Sequence, residues 1–294
     1  MAERKIKLSI VILSWNTKEL LRQCLNSILK VDDREWKLEI IVVDNASEDG
    51  SSEMVKKEFS EVKLIQNKEN VGFAKGNNQG IKEAQGKYIM LLNSDTIVKP
   101  GAISKLIDYL DNHPEVDSVA PRLLNTDGTF QESCGHFPNL DVVLIMLFKE
   151  HFGGSGSVRY APLKSGFADW MMGAAFIARR EVFDKIGGLD ERIFMYMEEV
   201  DWFYRAHEAG FRSYCLTEAE IIHLGRGSST TGKKDPILGI YRGLLIYYRN
   251  HKTKTELFIL KVILKLKAVS ALVLGYLKND AYLKETYGQA VKIN

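Results

Sequence analysis

Apolar residues in the first part of this chain alternate between unbroken runs and helically spaced sets. Residues 7–15 (KLSIVILSW) are continuous and rich in β-branched side chains, as in a strand buried on both faces. Leu20, Leu21, Cys24, Leu25, Ile28 and Leu29 then recur at helical spacing. Residues 39–43 predict a second strand, 52–59 a short helix, and 62–65 a third strand. A helix over 75–84 follows a glycine-rich loop, 87–92 predicts a fourth strand, and Pro100 marks the opening of another helix. Residues 117–120 read as a fifth strand. Strands alternating with helices predict an α/β fold with a mainly parallel central sheet flanked by helices.

Polar residues cluster where these strands end. Ser14 and Asn16 follow the first strand, Asp44, Asn45 and Ser47 the second, Asn70, Asn77 and Asn78 the third, and Asn93, Ser94 and Asp95 the fourth. Such residues build turns in most loops. Four clusters in succession on one predicted edge point instead to a ligand, because open α/β sheets bind ligands at the carboxyl ends of their strands. The first turn reads SWNTKEL, without the GxGxxG of a dinucleotide site, and no GxxxxGK[ST] phosphate loop occurs. Asp44 suits a ribose or base edge, the loop NVGFAKGNNQG lets backbone approach a ligand closely, and Asp95 is a hard oxygen ligand for Mg²⁺ or Mn²⁺. Together they predict a nucleotide whose diphosphate is bridged by a divalent metal.

In the second half, Val200, Phe203, Tyr204 and His207 have helical spacing, and Gly210 stands where a C-terminal cap belongs. Glu198, Glu199 and Asp201 fall at that helix's start, where acids also complement the helix dipole. His223 closes the short apolar run AEIIH.

Five motifs in register (KLSIVILSWN, IIVVDNASEDGS, NVGFAKGNNQG, LLNSDT and MMGAAFIARREVFDKIGGLDERIFMYMEEVDWFYRAHEAGF) resemble glycosyltransferase family 2, over about residues 7–229. The likeness is to its inverting members of GT-A fold, the nucleotide-diphospho-sugar transferase fold, and especially to the rhamnosyltransferase-like branch. The resemblance implies that Asp44 contacts the donor nucleoside, with Ser14 and Asn16 beside it. It places Asn77 and Asn78 over the base and phosphates. Asn93, Ser94 and Asp95 match a DXD motif whose first aspartate is replaced, leaving Asp95 as the main metal carboxylate. Glu199 matches the general base, with Glu198 and Asp201 beside it on the acceptor side, and His223 matches a histidine of the metal or diphosphate site. Trp170 is either a stacking platform for sugar or acceptor or a core residue.

Composition adds limits. With 294 residues, 45% hydrophobic and 27% charged, the chain has an ordinary globular balance, and a net charge of +2 gives no footprint for nucleic acid. Three scattered cysteines suit a reducing cytosol, and the basic N-terminal stretch lacks a signal h-region. From Lys233 onward, twelve basic residues stand against four acidic ones. Residues 1–232 are expected to form the catalytic domain, with a nucleotide half over 7–120 and an acceptor half over 121–232. Residues 233–294 are expected to form a basic amphipathic helical tail. That tail either rests on the inner face of the cell membrane or packs on the domain.

The expected function is metal-dependent, inverting transfer of a sugar from a dTDP- or UDP-linked donor to a glycan or polyprenyl-linked acceptor in the cytoplasm, with rhamnose from dTDP-rhamnose favoured. A non-catalytic nucleotide-sugar or glycan-binding protein is the alternative. A nucleotidyltransferase is disfavoured because SWNTKEL lacks a basic, glycine-rich triphosphate loop.

Overall fold

A computed structural model describes residues 6–30, 36–152, 158–225 and 234–293. The first five residues of the basic N-terminal stretch and the expected 232/233 domain boundary lie outside the described residues. In chain order the elements begin β1 (Ile6–Ser14), α1 (Lys18–Leu29), β2 (Lys37–Asp44), α2 (Ser51–Glu58), β3 (Lys63–Gln66), α3 (Phe73–Glu83), β4 (Tyr88–Asn93) and β5 (Thr96–Val98). Next come α4 (Ala102–Asn112), β6 (Ser118–Leu124), β7 (Cys134–Gly135), α5 (Leu140–Phe152), β8 (Arg159–Tyr160), β9 (Gly166–Phe167), β10 (Trp170–Met171) and β11 (Ala175–Arg179). The chain continues through α6 (Arg180–Ile186), α7 (Glu198–Glu208), β12 (Ser213–His223), α8 (Lys234–His251), α9 (Lys254–Leu277) and α10 (Ala281–Ala290).

The main sheet runs β3-β2-β1-β4-β11-β6-β12-β5, with β9 added against β12. Successive side chains of a strand point to opposite faces, and here both faces are covered. Val11, Ile41, Val43, Ile89 and Leu91 enter one core, while Leu8, Ile10, Ile12, Val42 and Met90 enter the other. That double burial explains why the strand sequences are apolar runs rather than alternating ones. Helices α1, α2 and α4 cover the second face, and α3, α6, α7 and α8 the first.

Two departures from the expected sheet position the site. Ala175–Arg179 forms β11, antiparallel to both β4 and β6, and Thr96–Val98 forms β5, antiparallel to β12. The sheet is therefore mixed. The helix expected to open at Pro100 opens instead at Ala102, with Gly101 in left-handed conformation (φ +75°) as its cap.

The C-terminal helices are not a separate body. Leu238, Tyr241, Leu244 and Tyr248 of α8, Leu260 and Leu264 of α9, and Tyr287 of α10 join the core that holds Phe176 and Trp202. Asp201 seals this junction. It is fully buried, accepts from Arg205 Nε at 2.8 Å, and lies 2.6 Å from His251 Nε2 of α8.

Candidate active site

Parallel register brings the strand ends to one edge: Ser14 pairs with Asp44, and Leu13 with Asn93. Hydroxyls bridge β1 to the loop after β4, with Ser14 Oγ 2.9 Å from Thr17 Oγ1 and Thr17 Oγ1 2.9 Å from Ser94 Oγ. Asn45 ties the end of β2 to the glycine loop. Its amide donates to Asn70 Oδ1 and the Gly72 carbonyl, and its oxygen accepts from Asn67. Gly72, at φ +88°, is required by a close approach, since a Cβ there would lie 2.6 Å from the Phe194 ring.

Above this edge lies a cavity of about 770 Å³. Asn93, Ser94, Asp95, Trp170, Glu198, Glu199 and His223 all line it. Because β12 pairs with β5 so that His223 stands opposite Thr96, His223 Nε2 comes within 3.4 Å of Asp95 Oδ1. On its other side, His223 Nδ1 is 2.8 Å from Gln131 Oε1. The Gln131 amide is oriented by donating to Asn125 Oδ1 at 2.9 Å. With the Nδ1 hydrogen given to Gln131, Nε2 is the ring nitrogen turned toward the Asp95 carboxylate. A carboxylate beside an imidazole that is fixed through its other nitrogen is a usual metal-ligand arrangement. Asp95 and His223 therefore fit a divalent metal, with the remaining ligands left to substrate phosphates and water. Among the described residues, no group of three or more His, Cys, Asp or Glu side chains could hold an ion unaided.

Opposite this pair, α7 begins with Glu198 and Glu199. Tyr196 and Met197 enter it with φ of +71° and +79°, a left-handed pair costing about 1–3 kcal/mol each for side-chain-bearing residues. Packing against α8 over-determines that turn. A Cβ on Gly239 would lie 2.6 Å from the Tyr196 ring, and one on Gly243 2.6 Å from Met197 Cβ. Both glutamates hold a buried Oε2 without a hydrogen-bond partner. Burial, then the charge of Glu199, pushes the Glu198 carboxyl well above the usual glutamate range. Burial also raises Glu199, but backbone N–H groups of residues 199, 173 and 200 and the Arg159 charge pull it back. The two carboxyls titrate as a coupled pair, and burial favours one negative charge between them over two.

Several expected residues do not line the cavity. Asp44 is buried and accepts from Ser47 Oγ (2.5 Å) and Ser52 Oγ (2.6 Å), which anchors the loop after β2. Asn16 braces the same loop, its Oδ1 accepting from the Glu48 N–H, while Ser14 is buried behind Thr17. Asn77 donates to the Phe73 carbonyl within α3. Asn78 clamps the turn before α7, donating to the Leu189 carbonyl and accepting from the Leu189 N–H. Asp201 faces away into the α7–α8 junction. Trp170 reaches the cavity, but its indole donates to the His136 carbonyl and its ring seats over Gly135.

Sequence reasoning missed Thr17 and three arginines that line the cavity, Arg159, Arg192 and Arg242, and placed Asn45 in the cluster after the second strand without giving it a role. Arg242 lies inside Gly239-x-x-x-Gly243, a close-packing spacing that marks α8 as pressed on a neighbour.

The family model for glycosyl transferase family 2 matches residues 9–202. This chain belongs to that family. It is a glycosyltransferase of GT-A fold. Over 233 residues it is 26% identical to an N-acetylglucosaminyl-diphospho-decaprenol L-rhamnosyltransferase of Mycobacterium tuberculosis, covering 74% of this chain and 75% of that one. Among solved structures, residues 1–349 of Staphylococcus aureus TarS with UDP-GlcNAc superpose with a TM-score of 0.61 at 18% identity, covering 97% of this chain and 79% of that one. A longer TarS chain is covered to 40%. A mannosyltransferase of Pyrobaculum calidifontis, in complex with GDP-Man and Mn²⁺, gives a TM-score of 0.57 at 16% identity over 99% of this chain and 73% of that one. The structural likenesses establish the family's fold in this chain, and the details of its site come from its own residues.

Proposed function

We propose that this chain is a divalent-metal-dependent, inverting glycosyltransferase that moves rhamnose from dTDP-rhamnose to a polyprenyl-linked or glycan acceptor. Its setting is bacterial surface polysaccharide synthesis at the inner face of the cell membrane. One observation carries the reading: the Glu199 carboxyl and the Asp95–His223 pair line the same cavity. The rhamnosyltransferase relative, similar over three quarters of both chains, supports the choice of donor and of a lipid-linked acceptor.

Glu199 accepts the proton of the acceptor hydroxyl as that oxygen forms its bond to the anomeric carbon. The bond from that carbon to the diphosphate oxygen breaks on the opposite face, and the nucleoside diphosphate leaves with the electron pair. Asp95 and His223 would hold the metal, which when bound neutralises charge on the departing diphosphate. Arg159 and Arg242 bring further positive charge to the cavity wall. In this reading Glu198 is the member of the coupled pair that keeps the proton, so it adds no second negative charge beside the base.

The test is turnover of dTDP-rhamnose, UDP-GlcNAc and GDP-mannose with Mn²⁺ and a polyprenyl-diphosphate-sugar acceptor, the product's anomeric configuration being read by NMR. Inverted rhamnoside formed only with metal is the expected result. Turnover of a UDP-sugar alone would replace the donor, and no turnover of any donor would overturn the reading.

A further inference from the structure

Helix α9 has two apolar faces. Leu260, Leu264, Ala268, Ala271 and Gly275 pack inward against α8 and α10. Phe258, Val262, Leu266, Val269, Val273 and Leu277 recur at steps of four, four, three, four and four, and all are exposed. At 3.6 residues per turn the second set lies on the side of the helix opposite the first. Its ends and middle stand far into solvent, with Phe258 67%, Leu266 61% and Leu277 79% exposed. The stripe follows a helix of 24 residues, about 36 Å long. A continuous apolar surface of this kind on a soluble chain marks a place that something covers.

Charge says what covers it. Lys254, Lys261 and Lys265 are exposed along one margin of the stripe. Among the described residues, Lys254 and Lys261 have no ion-pair or hydrogen-bond partner, and Lys265 reaches only the Val291 carbonyl. The sole acid on α9, Glu256, is engaged with Thr253 in the helix cap. The next acids, Asp280 and Glu285, belong to α10, and Asp280 caps it. A second copy of the chain would bring an identical basic margin to the stripe, whereas an anionic surface complements it. No helix among the described residues is long and apolar enough to cross a membrane, so a bilayer meeting α9 would do so at its surface.

We infer that the outward face of α9 is a docking surface for an anionic lipid bilayer, with the apolar stripe at the acyl boundary and the lysines at the headgroups. This deepens the membrane location proposed above, but it concerns only lipid and does not depend on the donor or the reaction.

Sedimentation of the full chain with phosphatidylglycerol-containing or pure phosphatidylcholine vesicles tests it. Binding to the anionic vesicles is expected to be at least about tenfold stronger, and to weaken as salt rises. The exposed-site variant Leu266→Asp/Val273→Asp should lose that binding with its melting temperature and nucleotide binding unchanged. Each of Lys254→Ser and Lys261→Ser should weaken it roughly fivefold. Equal binding by wild type and the double aspartate variant, or none by wild type, overturns the inference. So does a dimer in sedimentation velocity that the aspartate variant dissolves. Because vesicle binding is read without turnover, an inactive chain that still docks would separate failure of the reaction assignment from failure of this one.

Discussion

Asp95 and His223 face each other across 3.4 Å, although one follows β4 and the other ends β12. The antiparallel pairing of β12 with β5 creates this relationship, and Gln131 fixes which nitrogen of the imidazole faces the carboxylate. Gln131→Leu leaves both groups in place but releases the Nδ1 hydrogen. Manganese affinity in the presence of a nucleoside diphosphate should fall about 10–100-fold, as for lost partners of other metal-bound histidines. Calorimetric titration measures it, and an unchanged affinity would remove His223 from the metal site.

The two neighbouring glutamates should respond unequally to the same substitution. Glu199→Gln should bind nucleotide normally yet lose about 10²–10⁴-fold in kcat. On the proposed assignment Glu198 keeps its proton, so Glu198→Gln exchanges one neutral group for another of the same shape and kcat should stay within a few-fold. Equal losses would mean that the base has been assigned to the wrong member of the pair.

Their titration also sets a pH dependence. The folded pKa of Glu199 is raised, so the base is charged only above it, and kcat/KM should fall on an acid limb lying above the usual glutamate value. For stability the sign is unfavourable at neutral pH. A carboxyl raised by folding contributes most below its unfolded pKa and loses that contribution as pH rises through the folded one. Glu198→Gln should therefore raise the melting temperature at neutral pH and have little effect in acid. Thermal melts across pH check this.

Asp201 carries the reverse sign. Burial opposes its charge, but His251 and Arg205 outweigh it and hold the carboxyl below the usual range. Its contribution is present above the unfolded pKa and is lost as pH falls through the folded one. Removing one member of a buried ionic group typically costs about 3–5 kcal/mol. Asp201→Asn should destabilise by that order in urea unfolding, and the difference should shrink in acid.

Gly243→Ala tests whether α8 holds the base in place. The added methyl would meet Met197 Cβ at 2.6 Å, so the turn or the helix must move. Overpacking of this kind costs about 1–3 kcal/mol. The expected signature is a folded protein whose kcat falls more than its nucleotide affinity, read by paired kinetics and thermal shift. Wild-type kcat would show that α8 and the turn are uncoupled.

Much of this protein follows from local pattern. Largely unbroken apolar runs identified β1, β2 and β4 as strands buried on both faces, and the order of strand and helix implied a shared carboxyl edge. The DXD-like Asn93-Ser94-Asp95 and the acids opening α7 were legible because motif chemistry is confined to a few adjacent residues. Long-range placement was not legible. The short strand β11 enters the sheet antiparallel between β4 and β6, and nothing in its five residues encodes direction, which pairing partners impose. Asn78, Asp44 and Asp201 have the residue types of ligand-binding groups, and in the folded chain they hydrogen-bond to turns or form ion pairs, because a buried polar group must be satisfied wherever the chain puts it. Arg242 reaches the cavity only because glycines let α8 approach the Tyr196–Met197 turn, and the inward and outward faces of α9 were separable only once α8 and α10 covered one of them. Sequence by itself determined the alternating elements of the first half, the family and the chemical types of the motif residues. Tertiary structure decided which of those groups meet, because distances between remote residues are set by packing and strand register.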